Sequence, residues 1–275
     1  MSYFNQLNLT KEPFSTSPDP AFFYRSFAHN TALQRLEIAI RLRRGLSLIL
    51  GDVGTGKTTL SRTLLQNFHD EEDFRFYMIL DPSYKSEFQF LAALTRMMDT
   101  KPNFRSTLDY KEALEKFLFK QGVEENKTIV LLIDEGQKLT PDFLEILRIL
   151  LNYETNEYKL LQLVIVAQME ILPRLKKIKN FLDRVSLKYI INPLDQQETK
   201  EMILFRLQQA GLDSAGSLFT EEAIKLIFEQ TQGYPRRISI LCHNALEACV
   251  MSGREIVDTD LIQSLIEDEV KVGIG

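Results

Sequence analysis

The chain has 275 residues, 44% of them hydrophobic and 26% charged, with a formal net charge of −5. That composition is ordinary for a globular protein, and the length suits one large domain plus a small one. No window approaches the roughly 18 consecutive apolar residues of a membrane span, and Cys242 and Cys249 read as core thiols of a cytoplasmic protein rather than as a metal site.

Met1-Ser2-Tyr3-Phe4-Asn5-Gln6 lacks a basic region followed by an apolar core, so no secretion signal is expected. A helix is predicted over 31–43, where Leu33, Leu36 and Ile40 recur at helical spacing. The apolar run 46–50 reads as a strand. It leads straight into Gly51-Asp52-Val53-Gly54-Thr55-Gly56-Lys57-Thr58, a complete phosphate-binding loop, and Thr59 continues into a helix predicted over 57–68. The glycines let backbone N–H groups turn inward towards phosphates, and the helix adds its positive N-terminal end. Lys57 is positioned by this pattern to reach the β- and γ-phosphates, and the Thr58 hydroxyl to bind Mg²⁺. Nucleoside triphosphate binding is the expectation.

Further strands are predicted over 74–80, 129–133, 161–167 and 186–191, with helices over 86–99, 111–121, 141–151 and 170–178. Residues 101–105 read as a mobile connection. Thr128 to Ile133 is apolar and rich in β-branched residues, as in a strand buried on both faces, and it ends in Asp134-Glu135. At a strand's carboxyl end Asp134 can hold Mg²⁺ and Glu135 can orient and deprotonate a water. Such a pair suits an enzyme that hydrolyses ATP. Alternating strands and helices imply a mostly parallel, three-layered α/β domain over 1–194, including an N-terminal arm. Past Asn192-Pro193-Leu194 the pattern becomes all-helical, with helices predicted over 196–210, 220–231, 235–251 and 258–270. Gly211, Gly216 and Gly233 punctuate them, and Thr220 and Asp258 read as helix starts. Residues 195–275, the expected lid domain, hold twice as many acidic as basic residues, which leaves 1–194 close to neutral.

The chain resembles the AAA+ ATPases, in the general secretion pathway protein A-like (ExeA/GspA-like) branch. The resemblance rests on Pro13-Phe14, Ser17-Pro18-Asp19-Pro20, Phe22-Phe23-Tyr24, His29, Ala32-Leu33, Gly45, the loop Gly51 to Thr58, and Arg62. Ile133-Asp134-Glu135-Gly136-Gln137 and Gly233-Tyr234-Pro235-Arg236 complete it, so that it covers about residues 3 to 268. It implies a P-loop NTPase fold with a helical lid, bound ATP and Mg²⁺, and a ring or spiral homo-oligomer. It further implies that Gln168, after strand 161–167, helps place the water; a solvated strand end is the alternative. Arg236 matches the lid arginine that senses the γ-phosphate, with Arg237 as a substitute. Arg184 sits where a neighbouring subunit's arginine finger is expected, although Arg174, Lys176, Lys177, Lys179 and Lys188 make the region a basic stretch that could simply be solvated. Many AAA+ enzymes place a polar amide after the second strand to restrain the catalytic glutamate. Asp81 stands near that position here. Phe22, Phe23 and Tyr24 either border the adenine or pack the arm onto the core.

Two functional classes follow. One is an ATPase that helps assemble a bacterial envelope machine for secretion, pilus formation or polysaccharide export. Larger members of the branch continue into a membrane span and a wall-binding domain; neither is expected in 1–275, so a cytoplasmic chain recruited by an inner-membrane or envelope partner, or an excised core, is implied. The alternative is a DNA-binding regulator of the transposition type. Duplex DNA would need a cationic surface, which the net charge disfavours and the basic stretch 174–188 permits.

Overall fold

The computed structural model describes residues 3–100, 106–212 and 218–271. The connection at 101–105 and Gly216 therefore lie outside the described residues. In chain order the helices are α1 (Tyr3–Gln6), α2 (Phe27–Arg41), α3 (Lys57–Asn67), α4 (Glu87–Met97), α5 (Thr107–Phe119), α6 (Pro141–Leu150), α7 (Leu172–Lys177), α8 (Gln196–Gln209), α9 (Glu221–Thr231), α10 (Pro235–Met251) and α11 (Thr259–Lys271). The strands are β1 (Leu46–Gly51), β2 (Phe74–Ile79), β3 (Thr128–Ile133), β4 (Leu161–Ala167) and β5 (Val185–Ile191). Each expected strand is present with ends shifted by a residue or so. Helix α2 begins four residues earlier than its periodicity suggested, because the polar His29 is a fully buried position on its inner face. Pro173, at the first turn of α7, starts that helix later than expected, after a 3₁₀ turn at Met169–Ile171.

The chain forms two compact units. The first, residues 28–53 and 60–191, holds one parallel sheet in the order β2-β3-β4-β1-β5. Every residue of β1, β3 and β4 is buried, which explains their largely apolar sequences; the buried polar Gln162 accepts the Gly45 N–H at 2.8 Å. On one face Leu48, Leu131, Leu163 and Ile165 pack with Phe90 and Leu94 of α4, Leu114 of α5 and Leu147 of α6. On the other, Ile49, Leu132 and Val164 are equally buried. The edge strand β5 alternates in exposure, with only Ile191 fully buried.

The second unit comprises the described residues of 1–27, 54–59 and 192–275. Its core joins the arm to the C-terminal helices: Phe14 and Phe22 share one apolar cluster with Met202 and Ile203 of α8, Ile227 of α9 and Leu241 of α10. The Phe14 and Phe219 rings meet edge to face at 6.2 Å, Thr10 N–H donates to the Ala210 carbonyl at 2.8 Å, and Arg206 donates to the carbonyls of Pro13 and Ser15 at 3.4 and 3.2 Å. Burying a phenylalanine such as Phe14 contributes roughly 2–3 kcal/mol, so the arm's aromatic block has a structural reason to be there. The described residues of the arm thus group with the C-terminal helices. Thr220 caps α9 through the Ala223 N–H, and Asp258 receives the Leu261 N–H at the start of α11, as their sequence positions suggested.

Gly233 ends the α9–α10 turn at φ +73°, and a Cβ there would stand 1.9 Å from the Leu194 carbonyl oxygen. That carbonyl belongs to the same residue whose N–H donates to Gly233 O at 2.9 Å. Gly233→Ala combines left-handed strain with a backbone clash and is expected to cost about 3 kcal/mol or more. Urea unfolding measures it; a loss below about 1 kcal/mol would mean the turn adapts freely.

Candidate active site

Three parallel strands bring their carboxyl ends to one edge of the sheet. Leu50 of β1 lies beside Ala167 of β4, and Ile165 of β4 beside Ile133 of β3. The phosphate loop leaves β1 at Gly51, Gln168 follows β4, and Asp134-Glu135 follows β3. The carboxyl edge of a parallel α/β sheet is where such folds bind ligands.

Asp134 is buried, with 3% of its surface exposed, and its N–H donates to the Ile79 carbonyl at 2.8 Å. Glu135 is held in the left-handed region at φ +51°, uncommon for a residue with a long side chain. Several bonds hold that turn: Glu135 N–H donates to Asp134 Oδ1 at 2.8 Å, and Lys138 N–H to the Glu135 carbonyl at 2.9 Å. Gly136 is obligatory next to it, since a Cβ would lie 2.5 Å from Cγ2 of Ile165. Strain kept in place by so many contacts is characteristic of functional positions.

The side chain of Gln137, missed as a functional candidate from sequence, lies at the centre of this arrangement. Its Nε2 donates to Glu135 Oε2 at 2.7 Å, and its Oε1 accepts the Gln168 N–H at 3.1 Å. Arg174, expected to belong to a solvated basic stretch, donates to the carbonyls of Gln137 and Leu139, the latter at 3.2 Å. Asp81 is bonded to its own neighbours. Its carboxylate accepts from Lys138 Nζ at 2.6 Å and from the Ser83 hydroxyl, which hold it below the usual carboxylate range. The amide beside Glu135 is that of Gln137.

Arg184 closes a 3₁₀ turn, Leu182–Arg184, immediately before β5. It is half-buried, and its Nε is buried without a hydrogen-bond partner among the described residues. Glu145 of α6 bonds Arg148, which lowers its carboxyl affinity for protons, and the field of Arg184 adds to that effect. Lys176, Lys177, Lys179 and Lys188 are exposed.

In the other unit, the loop residues Gly54 and Gly56 adopt φ +82° and +89°, conformations that side chains rarely allow. Lys57 opens α3 and is 8% exposed, Thr55 is fully buried, and no acidic side chain occupies the first turn of α3. A buried ammonium at the positive end of a helix is an arrangement that an anion stabilises. Arg236, the second residue of α10, donates its N–H to the Gly54 carbonyl at 3.2 Å, and a Cβ on Gly54 would stand 3.0 Å from the Cβ of Arg236. The Arg236 side chain is exposed, whereas Arg237 lies over the Tyr234 ring at 4.8 Å. Of the two arginines, Arg236 adjoins the phosphate loop. Among the arm aromatics, Tyr24 donates to Glu201 at 2.5 Å and Phe22 belongs to the helical core. The loop Gly51 to Thr59 carries the N–H groups and the ammonium that a phosphate takes, and Thr58 and Asp134 each carry an oxygen of the hard kind that suits Mg²⁺.

Comparison with known proteins bears on the family and the fold. The AAA domain family matches residues 40–175. General secretion pathway protein A of Aeromonas hydrophila is 36% identical over 269 residues; the match covers 94% of this chain and 47% of that protein, so the chain spans about half the length of its relative. Among solved structures, the Aeropyrum pernix ORC2 protein in ADPNP and ADP complexes superposes with a TM-score of 0.69 at 15% identity, over 94% of this chain and 71% of that one. Cdc6p from Pyrobaculum aerophilum gives 0.67 at 21% identity, over 89% and 67%. These likenesses establish the fold of a P-loop AAA+ protein, a parallel five-stranded sheet with a helical C-terminal part. The chain belongs to the AAA+ ATPase family, in its general secretion pathway protein A-like branch.

Proposed function

We propose that the chain is a Mg²⁺-dependent ATPase that works as a head-to-tail homo-oligomer in assembling a bacterial envelope machine. The observation that carries the catalytic part is the shared strand edge from which the phosphate loop, Asp134-Glu135 and Gln168 all emerge. In this reading the backbone N–H groups of Gly51 to Thr59 and the ammonium of Lys57 bind the phosphates. Thr58 and Asp134 hold Mg²⁺, which supplies charge neutralisation at the phosphate oxygens. Glu135 orients a water and takes its proton as the oxygen attacks; Gln168 helps fix that water. Arg236 reports the γ-phosphate to the helices of 195–275, which we propose as the lid to the nucleotide-binding part, 1–194. Arg184 serves the neighbouring protomer.

The pathway is supported by the 36% identity to a protein named for general secretion. Among the described residues no helix is long and apolar enough to cross a membrane, and we propose cytoplasmic residence with recruitment by an inner-membrane or envelope protein. The second reading, a DNA-linked regulator, rests on the exposed lysines 176, 177, 179 and 188. ATP hydrolysis measured with and without duplex DNA at low salt, beside affinity capture from native cells, separates the two. The expected result is envelope-assembly proteins in the capture and a rate unchanged by DNA. Stimulation of about tenfold or more that vanishes as salt rises would overturn the envelope assignment in favour of DNA.

A further inference from the structure

Gln137 stands between the proposed base and the end of strand β4, and it has a partner on each side. Its Nε2–H donates to Glu135 Oε2 at 2.7 Å while its Oε1 accepts from the Gln168 N–H at 3.1 Å. An amide that donates with one end and accepts with the other has a defined orientation, and so does whatever it holds. The side chain is 8% exposed, so solvent offers little substitute for either bond. Its backbone is fixed as well: Arg174 of α7 donates to the Gln137 carbonyl, and Gly136 lies flush against Ile165 and Ala167 of β4. Glu135, on its left-handed turn, has one carboxylate oxygen engaged by the amide.

We infer that Gln137 is a positioning residue for Glu135, tying the glutamate's carboxylate to the end of β4 through two consecutive hydrogen bonds. The inference rests on the reading of Glu135 as the base for ATP hydrolysis. With Oε2 held, Oε1 is the oxygen presented to water, and a shift of the backbone at Gln168 reaches the carboxylate through a single side chain. The Lys138–Asp81 pair leaves that link intact, since it draws on neither Glu135 oxygen.

Two variants separate the bonds. Gln137→Met keeps the length of the side chain and loses both; Gln137→Glu retains an oxygen for the Gln168 N–H and loses the donor to Glu135. A misaimed general base costs on the order of 100-fold, so both variants are expected to lower kcat by about that factor, while the Kd for a non-hydrolysable ATP analogue stays within about threefold. A purely structural role would instead weaken nucleotide binding and lower Tm in step with activity. Gln137→Glu retaining the wild-type kcat, or Gln137→Met hydrolysing at or above it, overturns the inference; if Gln137→Met does not fold, Gln137→Glu decides. Glu135→Gln in the same assay keeps the two levels apart. If it is inactive while both Gln137 variants turn over normally, only the positioning role fails. If Glu135→Gln hydrolyses ATP at the wild-type rate, the assignment of the base fails and this inference with it.

Discussion

Glu135→Gln is expected to bind ATP as the wild-type chain does and to hydrolyse it at least about 100-fold more slowly. The amide preserves the shape of the carboxylate and can still meet Gln137, yet it cannot accept the proton of the attacking water. Lys57→Ala should fail earlier. Lys57 is the one cation in the loop sequence from Gly51 to Thr59, and losing a charged hydrogen-bond donor to phosphate weakens binding by roughly 1.5–3 kcal/mol or more, about 10- to 100-fold. Equilibrium binding of a fluorescent ATP analogue and single-turnover hydrolysis distinguish the two defects. Equal loss of affinity in both variants would contradict the division of roles. The Glu135→Gln protein, held in its ATP state, should also be the form that best retains partners.

Arg184→Ala should leave ATP affinity nearly intact and reduce hydrolysis by about 10³-fold or more, the scale on which arginine fingers act elsewhere. The residue sits at the start of β5 with its Nε buried and unpartnered among the described residues. A buried donor without an acceptor is costly in isolation and favours an arrangement that supplies one. Head-to-tail packing is heterologous, closing as a ring or growing as a spiral. If the finger acts on the next protomer, mixing Arg184→Ala with Lys57→Ala restores activity at about one interface in four, those joining an intact loop to an intact arginine. No recovery on mixing would demote Arg184 to a local partner of Glu145.

Much of the fold is legible in the residues because three strands are buried on both faces. β1, β3 and β4 are therefore mostly apolar runs, and the phosphate loop and the acidic pair sit at the ends of two of them. Other features depend on packing that no local pattern encodes. His29 falls ahead of the apolar periodicity that marks α2, and it is nevertheless part of that helix's buried face. Phe14 and Phe22 announce a core without saying which, and they joined the helices of the C-terminal part. A π-helical turn at Lys120–Glu124 extends α5 where periodicity predicted only its end. At the strand edge, Asp134 and Glu135 were evident from type and position. Gln137 was present in the same motif but gave no sign of its role, because its significance lies in two partners, one of them the backbone N–H just past β4, 31 residues away in sequence. Arg174 likewise read as one charge among six, until its bonds to the Gln137 and Leu139 carbonyls set it apart.

The most direct test is phosphate release from ATP by the wild-type chain in Mg²⁺, measured across a hundred-fold range of protein concentration with Lys57→Ala as background. Hydrolysis per protomer well above that background, rising with concentration as subunits associate and lost on chelating Mg²⁺, is the predicted result. A rate indistinguishable from Lys57→Ala at every concentration would contradict the ATPase itself, and a rate per protomer that stays constant over the whole range would contradict the shared site.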